Sequence, residues 1–311
     1  MRVFLTGGTG LIGAHLIRRL TDRHDEILLL SRRPADARGR LGPVGQIIEG
    51  DPVQPGPWMD AIDGCDAVIH LAGENIFNRR WSKEFKRLLR DSRIKSTENV
   101  VQALARNPRA ASGAAKILVN ASAIGYYGPH GDDELTEDSP PGDDFMAQIC
   151  VEWEAAARSA DVHGIRVAIV RTGIVLDKEG GALAKMLTPF KLGAGGPIGW
   201  TPWSGSQVMS WIHWQDIVGI FLLALDNSAA TGPINGTAPQ PLTNREFGKA
   251  LGRALHRPAF LPTPPLALRA LLGEVAGVVA TGQRVLPRRA LDLGYQFRFP
   301  NLDLALADIF S

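Results

Sequence analysis

Apolar and polar positions alternate along the chain in a regular way up to Thr172. Short apolar runs at Arg2–Thr6, Glu26–Ser31, Gln46–Asp51, Ala67–Gly73, Ile117–Ser122 and Ile165–Arg171 read as strands. Helical spacing fills the intervals at about Leu11–Arg23, Ser82–Arg106 and Phe145–Ala160, with Leu16, Ile17 and Leu20 sharing one face of the first. Continuous apolar strands separated by amphipathic helices predict strands buried on both faces and joined by right-handed crossovers. The expected fold is therefore α/β, with a Rossmann-type, doubly wound and mainly parallel sheet. The Gly-, Pro- and Arg-rich stretch Pro34–Pro43 reads as a loop. So does the acidic stretch His130–Asp144, whose Asp132, Asp133, Glu134, Glu137 and Asp138 fit a solvated surface better than an acid/base pair.

Beyond Thr172 the alternation stops. Gly193–Pro197 and Trp200–Gly205 are loop-forming, Val208–His213 is a short strand, Asp216–Leu225 is helical, and Pro233–Thr237 is the last sheet strand. Helical patterns broken by prolines then run to the end, with no sheet of their own. This predicts a nucleotide-binding domain over residues 1–180, to which 207–240 return. A smaller C-terminal lobe, from 181–206 and 241–311, would pack over the cleft as a lid.

Composition narrows the partners. A 45% hydrophobic, 21% charged chain of 311 residues is ordinary for a globular protein. The net charge of +2, with basic residues scattered, argues against nucleic acid. No run approaches the length of a membrane span, and the chain enters a strand at once, so neither an anchor nor a signal peptide is expected. Cys65 and Cys150 lack metal spacing and are expected to be reduced. A cytoplasmic protein without a metal, acting on a small molecule, fits.

The first βαβ unit carries the most specific chemistry. Gly7, Thr9, Gly10, Leu11, Ile12 and Gly13 lie between the first strand and the first helix. Gly7 permits a tight turn, Gly10 lets a pyrophosphate approach the backbone, and Gly13 lets the helix pack on the strand. Free N–H groups at the helix start then hold phosphate charge. The second strand ends in Ser31-Arg32-Arg33, where an NAD site would place a carboxylate. A guanidinium fork beside a hydroxyl suits a 2′-phosphate, so the expected cofactor is NADP(H). Asp51, after the third strand, fits either the adenine end of the cofactor or a simple turn. Leu71, Ala72 and Gly73 end the fourth strand with small residues that make room for a ligand, and Glu74 and Asn75 follow near the ribose and phosphates. His70 fits a packed core position better than a catalytic one. Arg80 fits a phosphate contact or an exposed surface equally well.

These segments resemble the extended short-chain dehydrogenase/reductases over nearly the whole chain. The resemblance rests on Thr6–Gly13, His70–Gly73, Tyr127-Gly128 and Trp211–Ile217. A narrower likeness, to an atypical subgroup labelled "epimerase family" proteins, rests on Leu71–Ile76, Trp153–Ala157, Arg171–Leu176 and Gly195–Gly199. Residues 257–309, with Gly282–Pro287 and Leu293–Tyr295, are similar to that subgroup's own tail domain. The resemblance implies a cofactor contact for Ser122 at the fifth strand, and for Thr172 and Gly173 beside the nicotinamide. It also implies a monomer or a homodimer built on the two long helices.

The superfamily's catalytic set is a Ser or Thr, then Tyr and Lys four apart on a helix. Here Ala123 fills the hydroxyl position, and Ser122 lies one residue early, where alternation turns it to the other side of the strand. The helix from Phe145 contains neither Tyr nor Lys: Phe145 with Ile149, or Met146 with Cys150, stand where they would be. Tyr126 and Tyr127 are candidate replacement phenols, although one of them also fits the superfamily's structural Tyr position; Lys185, Lys191 and His213 fit structural or solvated positions as well. Two functions follow. One is an NADP(H)-dependent oxidoreductase with a non-standard acid/base set. The other is a non-catalytic NADP(H)-binding redox sensor or partner-binding protein. Nucleotide-sugar epimerisation ranks below both, because its usual residues are absent.

Overall fold

The apolar runs pair as one sheet in the computed structural model, which describes residues 1–311. Its strands are β1 (Arg2–Thr6), β2 (Glu26–Ser31), β3 (Gln46–Glu49), β4 (Ala67–His70) and β5 (Ile117–Ala123). A two-residue strand, β6 (Glu134–Leu135), precedes β7 (Arg166–Thr172) and β8 (Ile174–Leu176). Then come β9 (Val208–Met209), β10 (Trp211–His213), β11 (Gly232–Gly236), β12 (Leu242–Thr243) and β13 (Arg284–Val285). The seven-stranded sheet has the order β11-β7-β5-β4-β1-β2-β3, and every neighbouring pair is parallel. The chain winds outward from β1 to β3 and then returns to β4 on the other side of β1. The point of reversal opens a crevice at the carboxyl ends of β1 and β4, where such sheets bind ligands.

Side-chain alternation divides the core. Val3 and Leu5 of β1 join Leu16, Ile17 and Leu20 of α1 (Leu11–Asp22) on one face. Phe4 joins the other face, with Val100, Val101 and Leu104 of α3 (Lys83–Arg106). Between these helices lies α2 (Pro34–Leu41). Then follow α4 (Phe145–Arg158), α5 (Gly181–Lys191), α6 (Trp214–Asp226) and α7 (Asn244–Ala254). The C-terminal segment holds α8 (Pro265–Leu272), α9 (Ala276–Ala280), α10 (Arg288–Asp292) and α11 (Leu302–Phe310). A third apolar cluster joins Leu183, Leu187 and Phe190 of α5 to Phe247 and Leu251 of α7 and Leu306 of α11.

Two expectations need correction. Residues 34–41 form a helix rather than a loop. Pro34 occupies the first turn, where its missing N–H costs nothing, and Ala37 is buried. The region after Thr172 also makes small sheets: β8 pairs with β10, β9 with β12, and β13 with β6. Pairs of two or three residues leave no period to detect. The run Val208–His213 is interrupted at Ser210, whose hydroxyl donates to the Gln283 carbonyl and accepts from the Val285 N–H, both at 2.8 Å.

Asp216 ties the tail to the sheet. Its buried carboxylate accepts from the Tyr295 hydroxyl at 3.0 Å and from the backbone N–H groups of Arg298 and Phe299 at 2.9 Å. No helix is long and apolar enough to cross a membrane.

Candidate functional site

The glycine turn is built by steric necessity. Gly7 has φ +70°, and a Cβ there would lie 2.7 Å from the Leu71 carbonyl carbon. At Gly13 a Cβ would lie 2.4 Å from the Gly7 oxygen, so this glycine lets α1 close onto the turn. Gly10 differs: a Cβ there would meet only the Gly7 oxygen, at 3.2 Å, and otherwise open space. Gly10 is also the N-cap of α1, which has no side-chain cap and no acid in its first turn. Uncapped N–H groups beside open space are an anion cradle. Gly8, which the spacing argument passes over, is a packing position: a Cβ would strike Leu29, Leu5 and Ile17 within 2.8 Å.

At the end of β2, Ser31 is partly exposed and its Oγ accepts from the Arg33 N–H at 3.1 Å. Arg33 is exposed and pairs with Asp36 at 3.2 Å. Arg32 is exposed and makes no ion pair. Asp51 closes a turn, accepting from the Val53 N–H at 3.0 Å.

The end of β4 is held from beneath. Thr6 Oγ1 accepts from the N–H groups of Leu71 and Ala72, each at 3.2 Å, and donates to His70 Nδ1 at 2.7 Å. His70 Nε2 lies 3.0 Å from Ser96 Oγ, whose own hydrogen goes to the Ser92 carbonyl. This pattern assigns the proton to Nε2 of a neutral ring. Burial pushes the His70 pKa down to about 3, in keeping with a packed position. Glu74 is fixed by its N–H to Ser92 Oγ at 3.0 Å, and its carboxylate accepts from Asn78 at 2.7 Å.

The ends of β5 and β7 hold a buried ionic network. Arg171 and Glu154 are each 1% exposed and form a two-pronged pair, Nε to Oε1 at 2.8 Å and Nη2 to Oε2 at 2.9 Å. Glu154 also accepts from Ser122 Oγ at 2.8 Å and Arg158 at 3.0 Å. Arg171 donates to the Tyr127 oxygen at 2.9 Å, and the Tyr127 hydroxyl donates to Asn235 at 2.7 Å. Burial works against the Arg171 charge, but the hydrogen bonds and charge of Glu154 outweigh it and hold its pKa above the ordinary value.

This network relocates two expected site residues. Ser122 turns toward Glu154, on the side that alternation predicts, so its hydroxyl is committed to the protein. Tyr127 is fully buried, its hydroxyl is saturated, and burial pushes its pKa up to about 12. It is placed as a structural residue, not as a proton donor. Tyr126 is the half-buried phenol of the pair, with the Arg171 guanidinium 3.5 Å from its ring centroid. Thr172 ends β7. At Gly173 a Cβ would lie 2.6 Å from the Ser210 carbonyl, so this glycine lets the chain pass close to Ser210, the residue before β10. On α4, Met146 and Cys150 pack beneath Gly125, and Ile149 is buried against Phe85 and Leu89.

The C-terminal lobe touches the segment after β4. Arg80 donates through Nη2 to the carbonyls of Ala270 and Leu271. Lys86 pairs with Glu274, and Lys185 of α5 lies 4.6 Å over the Phe77 ring. His213 caps α6 through Nδ1.

Sequence reasoning missed Thr6, Glu154 and Asn235 as organisers of this region. No local signal singles out Glu154 or Arg171, because α4 also carries Glu152 and Arg158 and β7 also carries Arg166.

Comparison with known proteins agrees with this geometry. Residues 3–235 match the model of the NAD dependent epimerase/dehydratase family. Residues 263–309 match a domain of unknown function, DUF1731. The human epimerase family protein SDR39U1 is 41% identical over 313 residues, covering 99% of both chains. The Arabidopsis thaliana homologue, described as chloroplastic, is 42% identical, covering 99% of this chain and 86% of its own. A crystal structure of human SDR39U1, isoform 2, with NADPH superposes with a TM-score of 0.85 at 39% identity, covering 100% of this chain and 99% of that one. A Rossmann-type sheet, a glycine turn at its switch point and a separate tail domain thus meet in one chain, which belongs to the NAD dependent epimerase/dehydratase family, among the atypical short-chain dehydrogenase/reductases called epimerase family proteins.

Proposed function

We propose that this protein binds NADP(H) and catalyses hydride transfer to or from a small molecule, without the Ser/Tyr/Lys set of its superfamily. The observation that carries the cofactor reading is the pairing of an open, uncapped cradle at Gly10 with an unpaired Arg32 at the end of β2. The human relative crystallised with NADPH supports it. In this reading Gly7, Thr9, Gly10, Leu11, Ile12 and Gly13 would hold the diphosphate. Ser31, Arg32 and Arg33 would hold the 2′-phosphate, and Asp51 would border the adenine. Leu71, Ala72, Gly73 and Glu74 would flank the ribose on the nicotinamide side, with Thr172 and Gly173 beyond them. When bound, the cofactor supplies or accepts the hydride.

The protein's part is orientation and proton handling. Thr6 and His70 fix the backbone of Leu71 and Ala72, so the crevice wall is preformed. Glu154 and Arg171 anchor the turn that carries Tyr126, the phenol this reading assigns as proton donor. The lobe formed by 181–206 and 241–311 would exclude water through its contacts at Phe77, Arg80 and Lys86.

A second reading is a non-catalytic NADP(H) sensor. It is favoured by α4, which offers Met146, Ile149 and Cys150 where proton-transfer groups would stand. NADPH oxidation measured against fractionated metabolites separates the two, with Gly10→Val as the inactive control. A fraction consumed by the wild type alone supports the enzyme and supplies its substrate. No turnover in any fraction, with tight NADPH binding already shown, supports the sensor. Loss of turnover in Tyr126→Phe with NADPH affinity retained would support the proton-donor assignment.

A further inference from the structure

The tail motif Gly282–Pro287 is bonded almost throughout to residues far from it in the chain. A Cβ on Gly282 would lie 2.3 Å from the Val208 nitrogen, so only glycine lets the chain pass β9. The Gln283 N–H donates to the Val208 carbonyl at 3.2 Å, and the Gln283 carbonyl accepts from Ser210 Oγ at 2.8 Å. β13 then pairs with β6, and the Leu286 N–H donates to the Leu135 carbonyl at 2.8 Å. Asn235 Nδ2 donates to the Leu286 carbonyl at 2.9 Å. Backbone bonded to three separate segments is a fixed strap.

The strap supports one short piece of structure. Ile124–Tyr127 is a single 3₁₀ turn, a conformation that holds poorly on its own. Val285 is fully buried in one apolar cluster with Ile124, Tyr127 and Leu135, and Tyr126 packs against that cluster. The Gln283 side chain also reaches the turn. With its amide nitrogen toward the turn, the orientation that satisfies its neighbours, Nε2 donates to the Ile124 carbonyl at 2.8 Å and to the Gly128 carbonyl at 3.1 Å. These two carbonyls bracket Tyr126 in the chain. The Tyr126 carbonyl itself accepts from the Gly142 N–H at 3.0 Å, and the Arg171 guanidinium stacks on its ring.

We propose that Gln283 is a positioning residue, through which the C-terminal tail sets the turn that carries Tyr126. This rests on the assignment of Tyr126 as proton donor above. The strap lies within residues 263–309, so the tail domain has a part in building the site as well as in covering it. A primary amide suits the task, because one nitrogen carries two N–H groups and can satisfy two carbonyls at once. Proton transfer tolerates little displacement of the donor, so two bonds that fix its turn bear directly on rate.

The test reads the turn and the chemistry separately. Amide hydrogen exchange is measured at Gly128 and Gly142, whose N–H groups bond to the Gly125 and Tyr126 carbonyls. Gln283→Met keeps the length of the side chain and removes both donors, so exchange there should quicken roughly five- to thirtyfold. Gln283→Glu turns an acceptor toward both carbonyls and should quicken it further. Arg284→Ala, on the same strap, removes an ion pair with Asp132 and should leave exchange within about twofold of wild type. Amides of β1 report an intact fold and should not change. NADPH oxidation is then followed with the metabolite fraction that the wild type consumes. Gln283→Met should lower kcat about tenfold with NADPH affinity retained, and should add nothing in a Tyr126→Phe background. Unchanged exchange in Gln283→Met overturns the assignment, as does a kcat loss that persists in the Tyr126→Phe background. Full turnover in Tyr126→Phe, with exchange still quickened by Gln283→Met, would overturn it too, the fault then lying in the proton-donor reading and not in the strap. A wild type that consumes no fraction would have the same meaning.

Discussion

Glu154 and Arg171 offer the most quantitative test of how this site is held. Replacing Glu154 with leucine leaves the Arg171 guanidinium 1% exposed and without its counter-charge. Ser122 also loses its acceptor, and Arg158 loses its partner. Breaking one side of a buried pair costs about 3–5 kcal/mol. Arg171→Met should cost less, roughly 2–3 kcal/mol, because the half-exposed Arg158 still faces the remaining carboxylate. The double variant removes both charges. It leaves the Ser122 and Tyr127 hydroxyls each short of a partner, at about 1 kcal/mol apiece, so its total loss should be near 2 kcal/mol. The double variant should therefore be more stable than Glu154→Leu alone. The coupling in a double-mutant cycle, read from urea unfolding, should be about 3 kcal/mol or more. Additive losses would show that the two side chains act independently and that the network does not hold the β5 and β7 ends together. The same variants should lower NADPH-linked activity if Tyr126 depends on the guanidinium beneath its ring.

The glycine turn separates folding from binding. Gly10→Ala should melt close to the wild type, because its methyl meets only the Gly7 oxygen at 3.2 Å, and should still lose NADPH affinity; Gly13→Ala should lower the melting temperature further, because its methyl would lie 2.4 Å from the Gly7 oxygen. Arg32→Ala should reduce NADPH affinity about tenfold or more while sparing NADH, and equal loss for both would place the 2′-phosphate elsewhere. The buried histidines predict acid sensitivity. Burial lowers the folded-state pKa of His70 to about 3 and of His213 to about 4, so the unfolded chain takes up their protons first. Their contribution is complete above about pH 6.5 and falls by roughly 1.4 kcal/mol per pH unit for each histidine as pH drops toward those values. Urea midpoints measured from pH 8 to pH 5 should show this slope, and His70→Gln should flatten it.

The α/β class, the parallel sheet and the glycine turn were legible in the sequence because each rests on local rules. Apolar runs of four to seven residues, helical spacing and glycines at a strand-to-helix turn are all short-range signals. The same holds for Ser122: period-two alternation alone turns it away from the position an active hydroxyl would occupy. What lay beyond the sequence depends on residues far apart in the chain. Nothing local to Tyr127 distinguishes it from Tyr126; its burial follows from Asn235 and Arg171, which arrive from neighbouring strands. Arg80 and Arg93 are both arginines flanking one loop. The approach of α8 gives the first its carbonyl acceptors, and the second donates within its own helix to the Leu89 carbonyl and stacks on Trp153. Local pattern determined where the strands, helices and glycine turn lie. Tertiary packing decided which polar groups are spent on one another and which remain for a ligand, because hydrogen-bond saturation and desolvation are set by neighbours in space, not along the chain.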